Sequence, residues 1–293
     1  MHAGVIAKRL LPGFESRLLV RRILNLPRDT YEKIMCRRDP LVPPHGLWFV
    51  GGEENYRAVN EEFLGYFVEL GALQPYHRVL DVGCGIGVMA SRLAKFLGPQ
   101  GAYFGFDIVR IGITWARKNI SSRFPNFSFS HVDIFNKHYN PKGKLLANEF
   151  QFPYPNASFD FVFVKSVFTH LLPNSIQHYL HEIHRVLKPT GRCLLTAFLL
   201  NEESLSLIQD GRSSLPLLHK LDGCHILDPR FPETAVGLPE LDFMSWCNNA
   251  GLSLIPPINY GSWCGRKAYK SYQDILVVNS GASPSTQKAT QVM

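Results

Sequence analysis

The segment Val79-Leu80-Asp81-Val82-Gly83-Cys84-Gly85-Ile86-Gly87 runs an apolar strand pattern straight into three glycines separated by single residues. Glycines there permit a tight turn and let a ligand approach the backbone at the carboxyl end of a strand. Asp107 closes the next strand pattern, 20 residues after Gly87, where a carboxylate can accept both hydroxyls of a ribose. Two details separate this pattern from a dinucleotide fingerprint. GxGxxG needs a glycine at position 88, which is Val88, and Asp81 places a negative charge just ahead of the first glycine. A carboxylate in that place repels a pyrophosphate and attracts an ammonium or sulfonium group. The residues therefore favour a nucleoside with a cationic tail over a nicotinamide dinucleotide.

His170 follows a further strand pattern in Ser166-Val167-Phe168-Thr169-His170-Leu171. It falls on the edge where open α/β sheets hold their ligands. An imidazole that titrates near neutrality suits removal of a proton from a hydroxyl; the alternative is a histidine that packs or caps in the loop. His178, His181 and His184 recur at i, i+3 and i+6 with Glu182 alongside. That spacing spreads the imidazoles too widely for one ion, so no metal is expected. The apolar stripe Ile176, Leu180, Ile183 and Leu187 lies largely opposite, which leaves His178, His181 and Glu182 facing solvent. The loop Tyr260-Gly261-Ser262-Trp263-Cys264-Gly265-Arg266 offers aromatic and cationic groups for an acceptor pocket, or an ordinary hairpin around a packed tryptophan. The six cysteines are scattered without a CxxC pair, a pattern of reduced thiols in a cytoplasmic protein.

Strand-like runs at Arg78–Val82, 102–108, 127–133, 159–165 and 192–198 alternate with helical patterns after Gly87, Ile108 and Asn174. This rhythm predicts an α/β fold, a mainly parallel sheet covered on both faces. A helix from about Arg57 to Leu70 precedes it, and two late strands, 252–260 and 273–279, follow. Three regions stand apart. Residues 1–47 form a basic, partly helical extension broken at Pro12 and Gly13; residues 201–240 interrupt the rhythm as an insertion into the main domain, 48–278; residues 279–293 are poor in apolar side chains and read as a disordered tail. Net charge is +7, yet residues 1–40 alone hold nine Lys or Arg against four acids. The rest of the chain is nearly neutral, which argues against a nucleic-acid track. The basic extension interleaves cations with Leu, Ile and Val, as in a helix lying on an anionic membrane or one packed on the main domain. No apolar run approaches the roughly eighteen residues a membrane span needs.

The run LDVGCGIG at 80–87, FGFDI at 104–108, the stretch FPYPNASFDFVFVKSVFTHL and the stretch EIHRVLKPTGRCLLTAF together resemble the class I S-adenosylmethionine-dependent methyltransferases, nearest to bacterial small-molecule enzymes. The likeness covers roughly residues 50–278 and implies a Rossmann-like seven-stranded, mainly parallel sheet with helices on both faces. It implies S-adenosyl-L-methionine as cofactor, with Gly83, Gly85 and Gly87, and Cys84 between them, around the methionine and ribose. Asp81 is expected at the amino group and Asp107, with Ile108 beside it, at the ribose. Asn148, Glu149 and Phe150 are favoured at adenine over Asp133, and Phe49, Gly51 and Gly52 close over the cofactor by analogy. Lys165 departs from the small or polar residue expected after the fourth strand, though its backbone can line the methionine site. His170 is the expected base. The resemblance implies methyl transfer to a small-molecule or lipid-linked acceptor, most readily a hydroxyl oxygen. The cysteine pattern points to a cytoplasmic protein, and the basic pattern of residues 1–40 allows peripheral membrane contact as one of its two readings. The alternatives are an RNA or other nucleic-acid methyltransferase and a non-catalytic cofactor-binding protein. Lys165-Ser166-Val167-Phe168 stands where base-modifying relatives carry Asn/Asp-Pro-Pro-aromatic.

Overall fold

The computed structural model describes residues 13–50 and 56–281. The chain divides into two compact units. The first contains α1 (Phe14–Ile34), a 3-10 turn at His45–Leu47, α2 (Tyr56–Glu69), the end of β1 (Arg78–Val82), α3 (Val88–Leu93), β2 (Ala102–Asp107), α4 (Arg110–Ala116) and β3 (Phe127–His131). β2 and β3 pair in parallel, with Asp107 opposite His131 at their carboxyl ends. Val79, Leu80 and Val82 are wholly buried, which explains why β1 reads as an unbroken apolar run rather than an alternation.

The second unit holds the start of β1 and then β4 (Phe159–Val164), α5 (Pro173–Val186), β5 (Leu187–Ala197), β6 (Leu199–Leu200), α6 (Glu202–Gln209), β7 (His219–Leu221), β8 (Cys224–Ile226), β9 (Val236–Pro239), α7 (Glu240–Asn249), β10 (Leu252–Asn259) and β11 (Asp274–Ser280). The main sheet has the order β10-β11-β5-β4-β1-β2-β3. β4 runs parallel to β5, while β11 is antiparallel to both β5 and β10. This is the expected seven-stranded, mainly parallel sheet.

Two expectations need correction. Lys188-Pro189-Thr190-Gly191 reads as a turn before the fifth strand, but β5 already begins at Leu187. The β4 partner jumps from Leu187 to Arg192, so those four residues bulge out of the ladder. The 201–240 segment carries structure of its own: Asn201 and Ser204 form a reciprocal cap on α6, and a second sheet of order β6-β9-β8-β7 follows. Phe198, Leu200, Leu207, Ile208, Leu217 and Trp263 build its satellite core. The tail starts later than position 279, because Asn279 and Ser280 pair with Ser253 and Leu252. Residues 282–293 lie outside the described residues, as do Pro12, Gly51 and Gly52.

Candidate functional site

In the first unit the three glycines all have positive φ: 80° at Gly83, 58° at Gly85 and 79° at Gly87. These are left-handed conformations that a side chain strains. Four of the loop's N–H groups, at Gly83, Cys84, Gly85 and Gly87, are spoken for. Those of Gly83 and Cys84 both donate to the Phe106 carbonyl at 3.0 Å, and that of Gly87 donates to the Cys84 carbonyl at 2.9 Å. Gly85 N–H donates to Asp107 Oδ2 at 2.7 Å, and Val109 N–H to Asp107 Oδ1 at 2.8 Å. The half-buried Asp107 carboxylate thus braces the loop and opens the helix that follows. Burial raises its pKa, against the pull of the backbone N–H groups of Val109, Gly85 and Ile108.

Asp81 is more enclosed than a ligand-facing carboxylate, at 3% exposure, and its Oδ2 accepts the Tyr103 hydroxyl at 2.6 Å. Cys84 is buried beside it, and burial, with the charges of Asp81 and Asp107, pushes its thiol well up. It is an inert packing group. A methyl added at Gly85 would meet Val50 at 2.7 Å, so the Phe49-Val50 segment lies over the loop. Phe49 also packs edge-on to Phe14 of α1, and Phe14 edge-on to Tyr139. The pKa of Tyr139 is raised by burial and by the Asp107 charge. Sequence reasoning passed over Tyr139; an aromatic pair, His138-Tyr139, inside the otherwise polar stretch 136–144 was the available signal. Asp133 accepts from Asn140 Nδ2 at 3.2 Å, in keeping with a loop carboxylate.

α4 approaches this loop closely at Gly112. A methyl there would stand 2.6 Å from the Gly85 carbonyl oxygen, 2.9 Å from Ile86 and 3.1 Å from Phe49. A backbone carbonyl cannot step aside as a side-chain tip can. Gly112→Ala is therefore expected to cost about 1–2 kcal/mol of stability through overpacking, read as a lowered denaturant midpoint. The same variant should weaken cofactor binding in calorimetry, because the loop must shift.

The second unit carries the remaining expected residues. Asn148 and Glu149 are exposed on a 3-10 turn, Ala147–Glu149, and Phe150 is buried beneath it, its carbonyl 2.9 Å from His178 Nε2. Lys165 is half-buried just beyond β4, followed by Ser166 at φ 57°. His170 closes the short 3-10 turn Phe168–His170, with Nδ1 3.0 Å from the Glu233 carbonyl. Burial lowers its pKa, with the backbone of Glu233 and Thr234 pulling the other way. The unfolded chain takes up a proton at His170 near 6.5, while the folded chain resists it. Stability from this source is full above that value and drains as pH falls below it. Denaturation midpoints on either side of pH 6.5 should show this acid sensitivity reduced in His170→Gln.

The helix carrying His178 and Glu182 differs from expectation. Glu182 is not in solvent but buried, accepting from Phe152 N–H at 2.6 Å and from Arg185 Nη2 at 2.6 Å. Burial raises its pKa, but Arg185 and the Phe152 N–H outweigh that and leave it lowered. His178 is partly buried over Phe150 rather than free in water. The 260–266 loop packs inward. Trp263 is fully buried and donates from Nε1 to Asp274 at 2.8 Å. Asp274 also takes Leu199 N–H and Gly261 N–H, with Arg266 Nη1 at 3.3 Å. Burial pushes its carboxyl up to about 6, against the pull of those donors. The node ties the start of β11 to the loop and to the residue that opens β6.

Comparison with known proteins agrees with this geometry. The family described as a methyltransferase domain matches residues 73–228, more than half of the chain. The chain belongs to the class I S-adenosylmethionine-dependent methyltransferase family. It is 28% identical over 179 residues to a sterol 24-C-methyltransferase of Gibberella zeae, covering 59% of this chain and 40% of that one. It is 29% identical over 147 residues to a demethylmenaquinone methyltransferase of Symbiobacterium thermophilum, covering 47% of this chain and 53% of that one. The chain thus spans about half the length of these relatives. A solved structure from Pyrococcus horikoshii OT3 superposes with a TM-score of 0.55 at 18% identity, covering 78% of this chain and 92% of that one, and shares the fold.

Proposed function

We propose that this methyltransferase moves a methyl group from S-adenosyl-L-methionine to an apolar small-molecule or lipid-linked acceptor, with a hydroxyl oxygen as the receiving atom. The observation that carries the cofactor reading is the glycine loop, whose N–H groups at Gly83, Cys84, Gly85 and Gly87 are taken by the Phe106 and Cys84 carbonyls and the Asp107 carboxylate. A loop that binds phosphate turns such groups toward its ligand. This one turns those four groups inward and offers close-approach surface beside two carboxylates, which suits an uncharged ribose and a cationic tail. Asp107 would hold the ribose, and Gly83, Gly85 and Gly87 would hold the adjoining chain. Asp81, hydrogen-bonded to Tyr103, would supply negative charge toward the amino group. Asn148, Glu149 and Phe150 are assigned to adenine, and the Lys165 backbone to the methionine end, on family likeness.

When bound, this cofactor supplies an electrophilic methyl on a sulfonium. The protein's share is alignment, with proton removal where the acceptor is a hydroxyl. His170 fits that second task. Its Nδ1 is held by the Glu233 carbonyl, and burial favours the neutral ring. The named acceptors of the relatives, a sterol and a demethylmenaquinone, are apolar lipids, which supports a similar class here. Incubating the protein with methyl-labelled cofactor and fractionated host extract tests the reading. Label in the lipid or small-molecule pool is expected, and alkali-stable ether linkage in the product supports oxygen. Label in RNA or DNA overturns the acceptor class, and a product methylated on carbon overturns the atom.

A further inference from the structure

Helix α1 presents its faces the wrong way round for a helix packed on a globular body. At 3.6 residues per turn, Leu19, Ile23, Leu26 and Ile34 fall along one side, bordered by Leu24 and Tyr31. All six point outward, with Ile23 61%, Leu26 63% and Ile34 73% exposed. The opposite side, turned toward residues 45–47, is polar. Arg21 Nε donates to the His45 carbonyl at 2.8 Å, and Asp29 accepts His45 N–H and Gly46 N–H, each at 2.9 Å. Arg38 pairs with Asp29 at 2.6 Å, and His45 Nε2 lies 3.0 Å from Glu32. Arg38 foremost among its partners holds the Glu32 carboxyl down to about 2. Leu18 is the one buried side chain of the helix.

A soluble helix gains stability by burying its apolar stripe, whereas α1 is anchored by ion pairs and leaves that stripe to something else. The charges say what. Arg28 borders the apolar stripe on one side and Arg22 and Lys33 on the other, whereas Arg17 turns to His138 at 3.1 Å and Asp29 and Glu32 are committed inward. Arg28 leans toward Glu32 at 3.1 Å yet keeps 62% of its side chain exposed. Glu15 is the only exposed acid on the helix among the described residues. Cations flanking an apolar stripe match a bilayer interface, where the stems lie among acyl chains and the heads meet anionic headgroups. A second copy of the same face would bring these cations together and is disfavoured by that repulsion.

We propose that the outward face of α1 docks on an anionic membrane surface. The proposal does not rest on methyl transfer, and its test does not read it. Full-length protein is sedimented with phosphatidylcholine vesicles, with and without phosphatidylglycerol. Binding to the anionic vesicles is expected to exceed binding to the neutral ones and to weaken as salt is raised. Ile23→Glu combined with Leu26→Glu should lower the partition coefficient about tenfold or more, because two exposed apolar groups no longer enter the interface. Arg28→Glu combined with Lys33→Glu should remove the preference for phosphatidylglycerol. All four positions are exposed, so circular dichroism should match wild type; the melting temperature should match for the Ile23/Leu26 variant and fall slightly for the Arg28/Lys33 variant, which loses the Arg28–Glu32 pair. Equal sedimentation of wild type with both vesicle types, or of wild type and the Ile23/Leu26 variant, overturns the proposal. Concentration-dependent dimers that this variant abolishes, without vesicle binding, would assign the face to a second copy instead.

Discussion

Replacing His170 with alanine is expected to lower kcat by about a hundredfold or more, the usual contribution of a positioned general base. The dissociation constant for S-adenosylhomocysteine should stay at its wild-type value. The expectation follows from three features that coincide at one side chain. His170 lies just beyond β4, its Nδ1 is fixed on the Glu233 carbonyl, and burial keeps it unprotonated at neutral pH. The same contact gives the histidine a structural use, since it fastens the post-β4 turn to the segment carrying Glu233. His170→Gln separates the two. A glutamine amide can still donate to that carbonyl but cannot accept a proton for catalysis, so the melting temperature should recover while kcat does not. The rate profile adds a second readout. Wild-type kcat should rise with pH through a group titrating below 6.5, and that limb should vanish in the variants. Full activity in His170→Gln would leave His170 as a fastening residue only.

What the amino-acid sequence revealed follows the range of the interactions involved. Strand β1 was legible because Val79, Leu80 and Val82 are buried on both sheet faces and leave an unbroken apolar run. The helix after β4 was legible from Ile176, Leu180 and Ile183, all fully buried. Glu182 sits on that same helix and was misread, because its partner N–H belongs to Phe152, thirty residues earlier in the chain. Helical spacing says which residues share a face, but not that a loop will come back to cover a polar one. The bulge at 188–191 escaped notice for a similar reason. Its cause is the pairing of Phe159 with Leu187 and of Phe161 with Arg192, a register between strands that no local pattern encodes. At the site, spacing supplied Gly83, Gly85, Gly87 and Asp107 but not their hydrogen-bond economy. That the Phe106 carbonyl takes two loop N–H groups became visible only with β2 in place. The Phe14, Phe49 and Tyr139 cluster joins three distant segments and was beyond any motif.

Asp107→Ala is expected to weaken cofactor binding by about 1–3 kcal/mol, roughly five- to 150-fold in Kd, through lost charge-assisted hydrogen bonds to the ribose. Part of the loss is indirect. The carboxylate also accepts Gly85 N–H and Val109 N–H, so its removal leaves two backbone donors of the binding loop unmatched and lowers thermal stability. Asp107→Asn sorts these contributions. The amide oxygen can keep one backbone bond, but its NH2 group faces the other N–H, and the negative charge is gone. Its melting temperature should fall between those of wild type and alanine, with an affinity near that of alanine. A pH titration supplies an independent check. Burial raises the Asp107 pKa, so protonation begins at a higher pH than for an ordinary aspartate. Wild-type affinity should accordingly decline as the solution is acidified through that raised value, and the alanine variant should lack this component. Titration calorimetry with S-adenosylhomocysteine across the acidic range measures both effects. Equal Kd for wild type and Asp107→Ala, combined with a lowered melting temperature, would make Asp107 a brace for the glycine loop and remove it from the ribose.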